Sequence, residues 1–192
     1  MKLSLSDLSD LHGSDKGNLG LVQPGQSSRG PGHQYAPFYE KLFAGRTVRA
    51  LLEIGVLWGA SLRIWADYFP EAKIFGIDYN PLCQYAGGRI QTVVCDQSDA
   101  PALMHAAANF TLAAGGLFDI IIDDGSHIPA HQLASAIALH GYLALGSVYV
   151  IEDVTPEGVL LLARELPWKF KVQEFGPLAP FNRIAVIEKG RL

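Results

Sequence analysis

Leu51-Leu52-Glu53-Ile54-Gly55-Val56-Leu57-Trp58-Gly59-Ala60-Ser61 is an apolar run that passes a carboxylate and then two glycines. The apolar residues predict a buried strand, and the glycines let the backbone turn tightly before a helix begins. The spacing is E-x-G-x-x-x-G, not the G-x-G-x-x-G that lays a pyrophosphate on a helix N-terminus, and Glu53 would repel phosphate. A cationic ligand suits this turn better. Outward from it, strand patterns at 49–54, 73–77, 90–95, 118–122 and 148–151 alternate with helix patterns at 61–69, 81–87, 101–114 and 129–143. Such alternation predicts a doubly wound, Rossmann-like α/β fold, a mostly parallel sheet with helices on both faces. A short helix at 157–165 follows, and segments 168–175 and 183–188 read as a closing C-terminal hairpin.

Of the 192 residues, 49% are hydrophobic and 18% charged, which suits one packed domain spanning residues 1–192. The net charge of −4 and the lack of a basic cluster argue against nucleic acid or an anionic membrane as the main partner. Cys83 and Cys95 form no C-x-x-C pair, so a disulfide framework or thiolate zinc site is not expected and a reduced cytoplasm is. Nothing reads as a signal peptide or a membrane span. Segment 17–32 is rich in Gly, Pro, Ser and Gln and reads as a loop, either a lid or a plain surface connection.

In an open parallel sheet, ligands bind beyond the C-terminal strand ends, and here every such end carries acid: Glu53, Asp78, Asp96, Asp123 with Asp124, and Glu152 with Asp153. Asp78, 25 positions after Glu53, is placed to accept both ribose hydroxyls of an adenosine. Asp96, in Asp96-Gln97-Ser98, either accepts the adenine amine or caps the next helix. S-adenosylmethionine, an adenosine bearing an ammonium and a sulfonium, has the charge this edge favours. Its predicted binding set is Glu53, Gly55, Gly59, Ser61, Asp78, Asp96, Gln97 and Asp123.

The fourth and fifth strand ends bring up to four carboxylates to one spot, which is costly without a cation or protons. Mg²⁺ suits oxygen-only ligands and would acidify a bound hydroxyl. His127, three residues past Asp124, is near enough to act as general base. His131 follows His127 by four, but no Glu completes an H-E-x-x-H pattern, so His105, His131 and His140 are read as structural.

The segments Leu11-His12-Gly13-Ser14-Asp15-Lys16-Gly17, His33-Gln34-Tyr35, Tyr39, Leu52 to Gly55, Gly76-Ile77-Asp78, Asp96 to Asp99, Asp123 to His127 and Tyr149 to Asp153 together resemble one family. It is the class I S-adenosylmethionine-dependent methyltransferases, and within it the metal-dependent macrolide sugar O-methyltransferases of mycinamicin type, with relatives labelled cephalosporin hydroxylase. The resemblance implies the class I methyltransferase fold, Mg²⁺ on Asp124, Glu152 and Asp153, Asp124 and His127 as catalytic residues, and a sugar or polyol hydroxyl of a small-molecule glycoside as acceptor. It also implies that residues 1–45 form a helix and loop cap over the site. A homo-oligomer is compatible with it. Two departures stand out: macrolide enzymes of this type carry a further N-terminal domain with no counterpart here, and Leu143 to Ser147 has one glycine and a serine where a glycine pair is usual. The competing expectations are a methyltransferase fold serving a non-methylation step or a partner oxygenase, and a nonenzymatic scaffold.

Overall fold

Strands β1 (Ala50–Ile54), β2 (Lys73–Asp78), β3 (Ile90–Val94), β4 (Phe118–Asp123) and β5 (Leu143–Ile151) are parallel in a computed structural model that describes residues 3–20, 31–176 and 182–190. The antiparallel pair β6 (Phe170–Glu174) and β7 (Arg183–Glu188) completes a seven-stranded sheet in the order β3-β2-β1-β4-β5-β7-β6. Central strands are buried on both faces, so they read as apolar runs, not as alternating patterns.

Alternate residues of each strand feed two cores. On one face Leu51, Ile74, Ile120 and Val150 meet Trp65, Tyr39 and Phe43 from α2 (Ala36–Phe43) and α3 (Ala60–Tyr68), with α1 (Leu5–His12) packed alongside. On the other face Leu52, Phe75, Ile121 and Tyr149 meet Leu103, Phe110 and Leu139 from α4 (Ala100–Ala114) and α5 (Pro129–Leu139), joined by Leu162 of α6 (Pro156–Glu165). Helix starts follow local chemistry. Ser4 and Asp7 form a capping box on α1, and Asp99 and Thr155 cap α4 and α6, each followed by proline in the first turn.

Three sequence expectations change. The helix expected at 81–87 is only a 3-10 turn, Pro81–Cys83, because Tyr85 N–H then donates to Thr92 and Gly87 pairs back with Ile90. The helix expected at 129–143 stops at Leu139, followed by a 3-10 turn. Leu143 already begins β5 opposite Phe118, earlier than the expected start at 148. Between the pairs Phe118–Leu143 and Ile120–Val148, β5 advances five residues against two, and Gly146 at φ +81° makes the bulge there, donating its N–H to Lys189. The predicted loop at 17–32 and the hairpin connection lie partly outside the described residues, at 21–30 and 177–181; Leu19 and Pro31 form a bridge across the former. Among the described residues no helix is long and apolar enough to cross a membrane.

From β1 the chain winds outward through β2 to β3, and β4 and β5 extend the other way, so a crevice opens between the C-terminal ends of β1 and β4. Gly55 lies in it at φ +93°, where a Cβ would sit 2.0 Å from the Asp124 carbonyl oxygen. Gly55→Ala is therefore expected to lower unfolding free energy in urea by more than about 2 kcal/mol, whereas Gly116→Ala, in open space, stays within about 0.5 kcal/mol.

Candidate active site

A cleft of about 760 Å³ runs along this edge of the sheet, lined by the glycine turn, Asp78, Asp124, His127, Asp153 and the segment from Asp10 to Lys16. Its two halves have different chemistry.

The first half is built on the β1 turn. Glu53 is fully buried beneath it, accepting hydrogen bonds at Oε2 from Ser61 Oγ (2.7 Å) and Trp65 Nε1 (3.1 Å), while Oε1 has no hydrogen-bond partner. Asp78 Oδ2 accepts the N–H groups of Val56 and Leu57, each at 2.9 Å, and Oδ1 accepts that of Asn80. Three of its roughly four acceptor positions are thus used, which leaves one for a ribose hydroxyl instead of the two expected. Leu57 adopts φ +49° to present its N–H, and Gly59, at φ +71°, starts α3. Beside the turn a smaller cavity of about 140 Å³ lies between Ile54, Ile77, Cys95, Asp96, Gln97 and His131. Asp96 sits at its exposed rim and accepts Ser98 N–H and Oγ at Oδ1 (2.8 Å each); the cap of α4 is Asp99.

Asp123 departs from expectation. Strand alternation turns it away from the cleft into the α5 side, where it is fully buried and accepts from Gln97 Nε2 (2.7 Å to both oxygens) and Ser135 Oγ (2.5 Å). Gln97 is consequently a brace: its Oε1 accepts Ser126 N–H at 2.9 Å and so fixes the loop that carries His127. Burial pushes the Asp123 carboxyl up to about 6, against the hydrogen bonds that favour its charged form.

The second half gathers Asp124, Glu152 and Asp153, as the strand ends predict. It also holds a residue that sequence reasoning missed. The Lys16 ammonium, almost fully buried, reaches Asp124 Oδ2 at 2.5 Å, both Glu152 oxygens at 2.8 Å and Glu53 Oε1 at 3.8 Å. Tyr39 donates to Glu152 Oε1 and Tyr35 to Asp153 Oδ1, both at 2.5 Å, and Gln132 Nε2 holds the Glu152 carbonyl at 2.9 Å. Glu152 therefore faces Lys16 and Tyr39, whereas Asp124, His127 and Asp153 offer ligand atoms within 4.8 Å of one another. Glu152 is not in that closest group, although Asp124 links the two. His127 Nδ1 lies 3.8 Å from Asp153 Oδ2. His127 and Asp153 adopt φ +57° and +54°, conformations uncommon outside glycine that concentrate at functional sites.

Electrostatics match this crowding. Burial pulls the Lys16 ammonium down, but Asp124, Glu152, Glu53 and Asp15 together outweigh it and hold it well above its ordinary range. Burial, then the Asp124 charge, raises both Glu152 and Asp153. The phenols of Tyr35 and Tyr39 are raised by burial and by the carboxylates they serve, so both remain donors. Four carboxyls face one ammonium, an imbalance that a divalent cation would offset. The carboxylate oxygens of Asp124, Glu152 and Asp153 fit Mg²⁺ or Mn²⁺.

No protein-family model matches the chain. Its sequence is 37% identical over 159 residues to 8-demethyl-8-alpha-L-rhamnosyl tetracenomycin-C 2'-O-methyltransferase of Streptomyces olivaceus, covering 78% of this chain and 37% of that one. It is 40% identical over 132 residues to mycinamicin VI 2''-O-methyltransferase of Micromonospora griseorubida, covering 64% and 32%. The chain thus spans about a third of the length of these curated relatives. Among solved structures, the MycE methyltransferase of the mycinamycin pathway in complex with Mg and SAH aligns with a TM-score of 0.72 at 28% identity, over 100% of this chain and 56% of that one. The fold is that of the class I methyltransferases.

Burial pushes the Glu53 carboxyl up to about 7, with the Lys16 ammonium opposing and Asp124 reinforcing the shift. Because the folded-state value lies above the unfolded one, the folded chain holds a proton that the unfolded chain releases. This contribution to stability is complete below about pH 4.5 and lost as pH rises through about 7, a change on the order of 3 kcal/mol. Denaturant unfolding from pH 5 to 8 is expected to show a shallower decline for Glu53→Gln than for the wild type; parallel profiles would refute the assignment.

Proposed function

We propose that this relative of the sugar O-methyltransferases is an S-adenosylmethionine- and Mg²⁺-dependent O-methyltransferase domain acting on a hydroxyl of a sugar or glycosylated natural product. The observation that carries this reading is the adjacency, in one cleft, of a nucleoside-type turn and the acidic group around Asp124, His127 and Asp153. The homologues' sugar O-methylation and the Mg and SAH of the MycE complex support it.

Asp78 Oδ1 would accept a ribose hydroxyl and the small cavity beside Asp96 would take the adenine, while the turn through Gly55 and Gly59, both at positive φ, would lie against the ligand. Glu53 Oε1, buried without a hydrogen-bond partner, attracts the ammonium end of the cofactor through the turn. Ser61 orients Glu53, Asp123 with Gln97 braces the His127 loop, and Gln97 also lines the cavity that would take the adenine. Asp124, Glu152 and Asp153 hold Mg²⁺. When bound, the metal supplies Lewis acidity toward the acceptor hydroxyl, and the cofactor supplies an electrophilic methyl group.

His127 would take the hydroxyl proton as the acceptor oxygen displaces S-adenosylhomocysteine from the methyl carbon, the O–C bond forming as the S–C bond breaks, and Asp153, 3.8 Å from Nδ1, would stabilise the imidazolium. Holding oxygen and methyl in line accounts for most of the rate. The described parts of the N-terminal segment, residues 3–20 and 31–45, act as the cap over this site, with Lys16, His33 and Tyr35 reaching into it. The net charge of −4 supports a small-molecule acceptor over nucleic acid.

The test is incubation with methyl-labelled cofactor, glycosylated acceptors and Mg²⁺, followed by mass spectrometry. Labelled product is expected. His127→Ala should reduce the rate by roughly 10²- to 10⁴-fold with S-adenosylhomocysteine binding retained. Chelation should abolish turnover, with Mg²⁺ restoring it in the wild type but not in Asp124→Asn. Full activity in chelator would exclude the metal role, and product formed without label would assign the fold to another step.

A further inference from the structure

We propose that Lys16 is a tethered counter-ion that occupies the acidic end of the cleft when no metal is bound and swings out when a divalent cation enters. The inference rests on the reading that Asp124, Glu152 and Asp153 hold the metal.

Lys16 Nζ contacts Asp124 Oδ2 and both oxygens of Glu152, so it takes up acceptor positions on two of the three carboxylates assigned to the metal. Asp124 belongs at once to the ammonium's shell and to the group formed with His127 and Asp153. A hard divalent ion bound about 2.1 Å from the Asp124 oxygen would lie within about 5 Å of Nζ. Charges of +2 and +1 at that distance, in a buried setting, repel strongly. The two cations are alternatives.

The backbone of the lysine stays anchored while its side chain moves. Its carbonyl accepts Ala36 N–H at 2.8 Å, His33 N–H donates to Asp15 O at 2.7 Å, and Gln34 N–H donates to Gly17 O at 3.1 Å. The four-carbon stem of lysine is flexible, and its compact ammonium is readily rehydrated. Asp15, whose charge already acts on the ammonium, lines the same cleft and offers it a second berth. Without Lys16, the carboxyls of Glu53, Asp124, Glu152 and Asp153 would face one another with no cation between them, so the lysine keeps the metal-free site folded and sets how tightly metal binds.

Two measurements test this. Mn²⁺ titration by calorimetry is expected to show binding to the wild type and about tenfold or more tighter binding to Lys16→Met, with near wild-type affinity for Lys16→Arg. In the wild type, brief acetic anhydride labelling with peptide mass spectrometry should show Lys16 protected without metal and labelled several-fold faster at saturating Mn²⁺, with exposed Lys171 as the internal reference. Should Lys16→Met fail to fold, the labelling decides alone. Mn²⁺ binding with unchanged Lys16 labelling overturns the displacement and leaves the metal site standing. No Mn²⁺ binding by the wild type or by Lys16→Met overturns the metal reading and the displacement with it.

Discussion

Carboxylates crowded at the ends of adjacent parallel strands need a cation, and most of this molecule's functional edge is organised around that need. Backbone hydrogen bonds that continue the ladders past the strand ends, Asp124 N–H to Ile54 O and Glu152 N–H to Asp123 O, fix the acids where they are. Positions so fixed cannot relieve repulsion by moving apart. The relief comes from other parts of the chain, a buried ammonium from the segment after α1 and two phenols from the start and middle of α2, while a glutamine from α5 holds the Glu152 main-chain carbonyl. The N-terminal elements are thereby tied to this edge of the sheet by charge and by hydrogen bonds as well as by packing.

The fold was legible because a parallel sheet covered on both faces writes its strands as unbroken apolar runs, and because acids mark where those runs stop. The placement of Asp78 beside the glycine turn, the acidic group at Asp124 and Asp153, and the neighbouring His127 follow from strand order alone. What could not be read was long-range pairing. Lys16 lies 108 positions from Asp124 and 136 from Glu152, and a lysine in a polar loop carries no local signal of burial. A cluster of acids without a compensating base was itself a hint that one would arrive from elsewhere. The neighbouring pair Asp123 and Asp124 was misjudged for a different reason: consecutive strand residues face opposite sides, so only the second reaches the cleft. Segment 81–87 carried helical signals, yet its pairing with the start of β3 prevailed, a tertiary contact invisible in the pattern.

Backbone strain marks the same edge. Of the four non-glycine residues at positive φ among the described residues, Leu57, His127 and Asp153 line the cleft. Each is held there by a rigid neighbour: Leu57 through its N–H on Asp78, His127 by the loop braced on Gln97, and Asp153 by the Tyr35 phenol. Preorganised side chains on a stiff sheet spare the site from reorganising as charge develops. The glycines serve a different purpose: Gly55 leaves room for the Asp124 backbone, and Gly59 supplies the left-handed turn at φ +71°.

The central claim is that the nucleoside-type turn and the acidic group form one site for a nucleoside cofactor and a divalent ion. A crystal structure grown with S-adenosylhomocysteine and Mn²⁺, read by anomalous scattering at the manganese edge, tests it most directly. The account predicts one anomalous peak bonded to Asp124, Glu152 and Asp153, with the ribose on Asp78. A manganese peak away from these carboxylates, or a nucleoside bound elsewhere on the sheet, would contradict it.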